Sequence, residues 1–354
     1  MRRDRTGKLL KGVVAIFIIT ISSQEVFARQ ITDSGYYGYK PSLYDGKIAW
    51  YVYNDNGVSN KKEIYYYNGE DIIQITDNIL SESRPKLHNG IITWEADNDI
   101  YYWDGMVHQL TDDDNSDSEP CVYNGKIVWI SHQVGPDSPL EYGNDIFLWD
   151  GVSITQITDT NTLKYDLSYH NGGVVWSEKD GTDYDIFYWN GAGITQITDN
   201  NFDDRNPQIH DNMVVWWGGD DSLSYEIYYW DGSIHQLTVD DVPDKNPSIY
   251  EGNIAWERTP WNGDSGIYYY DSKAKTTKQI ASLEEGGGGS PSLYNNQVAC
   301  EGLDYGDLDT VVNGFEIFLF DINVPDSTIN SVGSGSSSGG GCFINSLFSF
   351  SGSE

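Results

Sequence analysis

Short runs of alternating apolar and polar residues, punctuated by Asn-Gly and Asp-Gly pairs, fill the chain from about residue 30 to residue 322. One copy, residues 206–238, reads NPQIHDNMVVWWGGDDSLSYEIYYWDGSIHQLT. Period-two alternation bounded by turn residues predicts strands. Here they fall at Pro207–His210, around Val214–Trp216, at Glu226–Trp230 and at Ser233–Thr238. The unit recurs seven times. Its second-strand aromatic stands at Trp50, Trp94, Trp129, Trp176, Trp216 and Trp256, with Cys300 in the seventh place, at spacings of 44, 35, 47, 40, 40 and 44 residues. Four short strands repeated with a period near 40 specify an all-β, seven-bladed propeller with four-stranded blades.

The turns support this. Asp45-Gly46, Asn89-Gly90, Asn124-Gly125 and Asn171-Gly172 follow first strands, and Asn68-Gly69, Asp104-Gly105, Asp150-Gly151 and Asn190-Gly191 follow third strands. These pairs tolerate positive φ, so tight type I′ hairpins are expected at both places. All of them fall at one end of the blades. The second-to-third and inter-blade connections, longer and acidic, form a variable face at the other end. Recognition is expected there. The periodic aromatics are expected to be inter-blade core, because a blade packs on both sides; each contributes about 2–3 kcal/mol on burial.

Gln30-Ile31-Thr32-Asp33 repeats the fourth-strand signature seen at Gln74, Gln109, Gln156, Gln196 and Gln236, with no blade before it. The seventh blade has three strands and no fourth. The N-terminal strand is therefore expected to complete the last blade and remove its open edge. Residues 1–28, with a basic head, an apolar run at Gly12–Ile21 and Val26-Phe27-Ala28, have the pattern of a signal peptide cut after Ala28. The propeller is then 29–323, and the protein is expected to be exported, whether periplasmic, extracellular or on the cell surface. The whole chain carries a formal charge of −33. So acidic a surface excludes nucleic acid and favours cations or basic partners.

Chemistry is sparse. Cys121 lies in a first strand and Cys300 replaces a core Trp; both read as small buried apolar residues. His88, His170 and His210 occupy a slot that is Tyr44, Tyr123, Tyr250 and Tyr294 in other blades. There is no HExxH, nucleophile elbow or phosphate-binding loop. Asp113, Asn115 and Asp117 have the spacing of the first three oxygen ligands of a calcium loop, though the following Gly and the twelfth-position Glu are missing. They define a looser calcium site as an expectation. No other cofactor is implied.

The repeat P-x-I/L-x-x-G-x-I/V-x-W…D-I-Y/F-Y-W-D-G…Q-I/L-T-D resembles the TolB-type (WD40-like, PD40) propeller repeat, over about residues 30–322. It is similar to multi-repeat versions in secreted and cell-surface proteins of bacteria and archaea. The resemblance implies an interaction platform or an accessory domain of peptidases and lyases. The additional N-terminal α/β domain of TolB has no counterpart in this sequence, so its envelope role is not implied. Residues 324–341 are a Ser/Gly-rich linker and 342–354 a short tail. Gly339–Ile344 resembles a C-terminal Gly-rich Cys-Phe-Ile sorting motif. Cys342 is thus an expected site of modification and the only expected route to a membrane anchor. The sequence reading is a non-enzymatic propeller that binds a protein or glycan through its acidic variable face. Its alternatives are an extracellular carbohydrate- or peptide-active enzyme and a surface-layer component.

Overall fold

The computed structural model describes residues 15–21, 24–32, 37–54, 61–132, 143–160, 162–220, 225–260, 265–283, 289–303 and 315–322. Among these there is no helix; every regular element is a strand. Seven antiparallel sheets form, six of them four-stranded in chain order. Blade 1 comprises Tyr37–Tyr44, Lys47–Asn54, Lys61–Tyr67 and Ile72–Gln74, and blade 5 comprises Asp203–His210, Met213–Gly219, Glu226–Trp230 and Ile234–Gln236. The expected propeller is what the sequence folds into.

Its core lies between blades. Ala49, Ile64 and Tyr66 of blade 1 pack on Leu87, Ile92 and Trp94 of blade 2, while Ile48 and Trp50, on the other face of blade 1, meet Ile317 and Leu319 of blade 7. The six slot tryptophans are buried. Each stacks on a third-strand ring, from Trp216–Tyr228 at 5.9 Å to Trp50–Tyr65 at 6.2 Å. Cys300, opposite Phe318, takes the slot in blade 7 and is buried, as is Cys121.

Blade 7 closes the ring. Gln24–Gln30 pairs with Phe315–Asp321, from Phe27↔Asp321 to Gln30↔Phe318. The last turn is fixed by a motif that six blades share. The Thr of Gln-Ile/Leu-Thr accepts the third-strand Ile N–H and donates to the acidic residue before that Ile. In blade 1, Ile64 N donates to Thr76 Oγ1 at 2.9 Å, and Thr76 Oγ1 donates to Glu63 Oε2 at 2.7 Å. In blade 7 the same roles fall to Thr32, Ile317 (2.9 Å) and Glu316, nearly the whole chain apart. Blade 6, with Ile280-Ala281 in place of Ile/Leu-Thr, lacks the motif and substitutes a long fourth strand, Thr276–Leu283. The closing strand begins at Gln24, inside the stretch expected to be removed, and Ala28 is buried. A further strand, Ala15–Ile21, pairs along its outer edge.

One expectation is corrected. At Asp211-Asn212 and Asn295-Asn296 only the first central residue has positive φ, whereas in blades 1–4 and 6 the first-to-second turns carry positive φ at both central residues, as at Asn89 (49°) and Gly90 (81°). Third-to-fourth turns do not: only the Gly is positive, as at Gly69 (103°) and Gly151 (99°). There the Asn or Asp side chain holds the loop instead. Asn68 Oδ1 accepts Glu70 N at 2.9 Å and Asp71 N at 2.8 Å. A short side-chain acceptor competes with the backbone for the same donors and opens a wider turn.

Candidate functional site

The first strands of the blades line the axial channel, and those of blades 1–6 contain a bulge at one place. Pairing shifts register between Tyr39 and Ser42, Ser83 and Lys86, Ser118 and Cys121, Tyr165 and Ser168, Arg205 and Gln208, and Lys245 and Ser248. The bulged residue has left-handed φ in each of these six, Lys40 (51°), Arg84 (51°), Glu119 (55°), Asp166 (60°), Asn206 (52°) and Asn246 (50°), and so does the equivalent Ser290 (49°), which precedes the first strand of blade 7. Pro follows it in every blade except blade 4, where Leu167 stands, and has no N–H to lose. A left-handed L-residue costs about 1–2 kcal/mol. Bulges re-aim side chains, and strain of this kind collects at functional sites. All seven residues line a cavity of about 360 Å³.

Acidic side chains hold the bulges in place. Glu301 Oε1 accepts Lys40 N at 2.8 Å across the closure, Glu95 Oε2 accepts Glu119 N at 2.9 Å, and Asp166 Oδ2 accepts Asn206 N at 3.2 Å. Glu119 accepts Leu167 N (3.1 Å) and Arg84 Nη1 (3.1 Å). Burial pushes the Glu119 carboxyl above its ordinary range. Asn206 Nδ2 donates to Asn246 Oδ1 at 3.1 Å, and Lys40 Nζ to Ser290 Oγ at 2.9 Å.

One step deeper, the residue after the bulge joins neighbouring blades. Ser42, Ser168, Ser248 and Ser292 each accept a backbone N–H from the next blade, at 2.9–3.3 Å. Cys121 Sγ donates to Leu167 O, and burial raises its thiol to about 11, so it is inert. Lys86 breaks the pattern. Its Nζ makes no hydrogen bond or ion pair among the described residues, and the side chain lines the cavity.

At the tight-turn end the channel narrows to a collar of seven rings in the slot shared by Tyr and His. Tyr44, His88, Tyr123, His170, His210, Tyr250 and Tyr294 touch in sequence around the axis, centroids 4.2–4.6 Å apart, with Tyr294 returning to Tyr44. A closed heptagon of that edge puts the centroids roughly 5 Å from the axis; ring thickness leaves a bore roughly 2–3 Å in radius, passable to water and not to a sugar ring. The three histidines are therefore collar members. Nδ1 of His88, His170 and His210 accepts the N–H of Asn124 (3.1 Å), Asp211 (2.8 Å) and Glu251 (3.3 Å). Nε2 then carries the proton, and burial holds His88 and His170 down at about 4.

The sequence-derived metal residues are placed differently from one another. Asp113 Oδ1 accepts the Asn115 N–H at 2.8 Å in an exposed turn. Asp117 is buried in the first strand of blade 3 opposite Ser131, and burial raises its carboxyl. Two other groups among the described residues bring three potential ligand atoms together: His170, His210 and Asp211, and Asp180, Asp185 and Asp199. Both histidines of the first already use Nδ1 to accept a backbone N–H. Asp185 accepts Gln196 and Thr198. Cys342 lies outside the described residues.

Sequence reasoning missed Trp217, which lines the cavity. It is one residue out of phase with the slot tryptophan Trp216, and strand alternation alone sends it to the other face. That phase was the available signal. It also missed Lys164, fully buried where blades 2, 3, 5 and 6 carry Glu82, Asp117, Asp204 and Asp244. Blade 4 moves the carboxylate to Glu178, which accepts Trp176 Nε1 at 2.7 Å as Asp204 accepts Trp216 Nε1 at 2.8 Å in blade 5.

No family model and no curated protein matches the chain. Solved structures do match. The β-propeller domain of the Trilobed protease from Pyrococcus furiosus superposes with a TM-score of 0.60 at 12% identity, over 76% of this chain and 99% of that one. Oligogalacturonate lyase from Vibrio parahaemolyticus gives 0.61 at 11%, over 89% and 98%. Acylaminoacyl peptidase from Pyrococcus horikoshii gives 0.56 at 10%, over 78% and 53%, so the chain spans about half the length of that enzyme. A putative TolB from Agrobacterium tumefaciens also matches, with a TM-score of 0.46. At such identities the likeness establishes the seven-bladed propeller alone. It nevertheless corrects the expectation of a non-enzymatic platform, because the propellers this chain superposes on belong to peptidases and a lyase.

Proposed function

We propose that this chain is a substrate-binding propeller of an enzyme that breaks down a carbohydrate or peptide polymer, and that the substrate enters the axial cavity from the variable face. The carrying observation is the bulge ring: seven blades share one strained backbone conformation yet present a different set of polar side chains to one cavity. A scaffold that needed only to close the ring would fill those places with Gly or Asn, which adopt left-handed φ at least cost. In this reading the amides and cations bind and orient substrate. Glu119, which accepts Leu167 N and Arg84 Nη1, positions the Arg84 guanidinium at the cavity.

The test is to incubate the purified chain with oligogalacturonates, neutral oligosaccharides and end-blocked peptides, and to follow binding and products by mass spectrometry. Weakened binding in Glu119→Gln supports the reading. Absence of binding by any of the three, or binding indifferent to Glu119 and Lys86 substitutions, overturns it. A second reading, a propeller that screens peptides for a hydrolase domain, is favoured by the half-length match to the acylaminoacyl peptidase. It predicts peptide binding without cleavage. The TolB-type repeat, the leader at 1–28 and the acidic surface are consistent with a place outside the cell. N-terminal sequencing of the mature protein tests this, and cleavage after Ala28 would keep Arg29–Thr32, the residues that close blade 7.

A further inference from the structure

The cavity is built to accept only one end of a ligand, and two ammonium groups that make no ion pair among the described residues lie on one wall of it. We infer that the axial cavity binds the terminal residue of an acidic oligosaccharide, a hexuronate-type sugar, with its carboxylate against Lys40 and Lys86 and its ring on Trp217. The inference rests on the reading of the channel as a substrate site.

Closure comes from the collar. A bore passable to water stops a sugar ring or a peptide, so a polymer cannot thread the axis. Whatever enters from the variable face arrives with its end foremost, and recognition is of a terminus rather than of an internal segment.

Sign comes from bookkeeping of the cavity's charged groups. The acids on this wall are occupied by the fold. Glu119 accepts Leu167 N and Arg84, Asp166 accepts Asn206 N and Ser177 Oγ (2.8 Å), and Glu95, Glu257 and Glu301 each accept a donor from a bulge residue. Two cations make no ion pair among the described residues. Lys86 Nζ has no hydrogen-bond or ion-pair partner among them, and Lys40 Nζ meets the neutral Ser290 Oγ. Arg84 is committed, its Nη1 paired with Glu119 at 3.1 Å and Glu95 at 3.5 Å. Blades 1 and 2 are neighbours, so the two lysines share one wall. A carboxylate is the ligand group that matches two neighbouring ammonium groups.

Sugar rather than peptide comes from the remaining wall. The lining sets five prolines, Leu167 and Trp217 among Ser, Asn and charged residues. The large ring on it is Trp217, which packs on Tyr225 with centroids 4.5 Å apart. Beside it are the paired amides of Asn206 and Asn246, whose Nδ2 groups donate to Asn246 Oδ1 and Glu257 Oε2 and each keep a second N–H for a hydroxyl. A flat ring and amides suit a polyhydroxylated ring.

The experiment compares trigalacturonate, galactotriose and trialanine by calorimetry and by tryptophan fluorescence, using the full chain, Lys86→Met and Trp217→Phe, each first shown to retain the wild-type melting temperature. The expected result is binding of trigalacturonate alone. Lys86→Met should weaken it about tenfold, the value of one lost charge-assisted hydrogen bond. The fluorescence change should disappear in Trp217→Phe, and added salt should weaken binding. A trigalacturonate whose end residues are both blocked by bulky groups should not bind. Binding of galactotriose or trialanine with the Trp217 signal would overturn this inference and leave the channel reading standing. No binding, or binding indifferent to both substitutions, would overturn both.

Discussion

Replacing Thr32 by Val tests the closure at the level of two atoms. Val keeps the shape and removes one hydroxyl. That hydroxyl is the acceptor for Ile317 N at 2.9 Å and a donor to the buried Glu316 carboxylate. The Ile317 N–H then loses its acceptor in a dry interior, and Glu316 loses a charge-assisted donor. Together these should cost about 2–4 kcal/mol. A propeller of this size loses roughly 1.5–2 °C of melting temperature per kcal/mol, so a fall of about 3–8 °C is expected. Thr158→Val provides the comparison, because it deletes the same motif within blade 3, where Thr158 bonds Ile146 N (2.9 Å) and Asp145 (2.9 Å). Both variants should lose comparable stability. Only Thr32→Val should loosen Gln24–Gln30, read as faster amide exchange of the Phe315–Asp321 strand and faster proteolysis near Arg29. If the two variants exchange alike, or if Thr32→Val melts with wild type, the N-terminal strand is not what closes the ring.

Glu82→Gln should stabilise the protein at pH 8 and change little at pH 4. Burial raises the Glu82 carboxyl to about 7 in the fold, above its ordinary value. The folded state therefore binds the extra proton, and stability falls as pH rises from about 4.5 through about 7; a gain on the order of 2 kcal/mol at pH 8, read by denaturant titration, is expected. An unchanged pH profile refutes it. Gly218→Ala should be destabilising by more than a surface change, since a Cβ there would overlap Asp204 Oδ1 and break its bond to Trp216; near-wild-type melting would show that Asp204 can move. Calcium should not stabilise the chain through Asp113, Asn115 and Asp117 while Asp117 stays in its strand. A calcium-dependent rise in melting temperature that Asp117→Asn abolishes would show the opposite.

The repeat was legible because its strongest letters do structural work at fixed places. Trp50 and its equivalents fill inter-blade space, and Thr76 and its equivalents tie the fourth strand, so periodicity reports both. Closure was legible for the same reason: Thr32 is the same letter without a blade. The bulge ring was not. Its backbone is constant while its side chains run from Lys40 to Asp166 to Ser290, so no periodic residue marks it; only the following Pro does. Trp217 was hidden beside Trp216, and a run of two tryptophans reads as core until the register separates them. The third-to-fourth turns were misassigned because Asn-Gly serves two geometries, and the Asn68 side chain chooses between them. The variable-face insertions 55–60 and 133–142 lie outside the described residues.

The collar also gives the channel a drain. A cavity of about 360 Å³ holds on the order of ten waters at the volume each has in the liquid. In a blind socket an entering solute must push them back past itself through the mouth it is blocking, and the last few resist. Here they can leave through a bore that admits them and nothing larger, out of the opposite face. Filling and emptying then proceed as in a syringe with an open tip: solute moves at one end while solvent moves at the other, and neither has to wait for the other to pass.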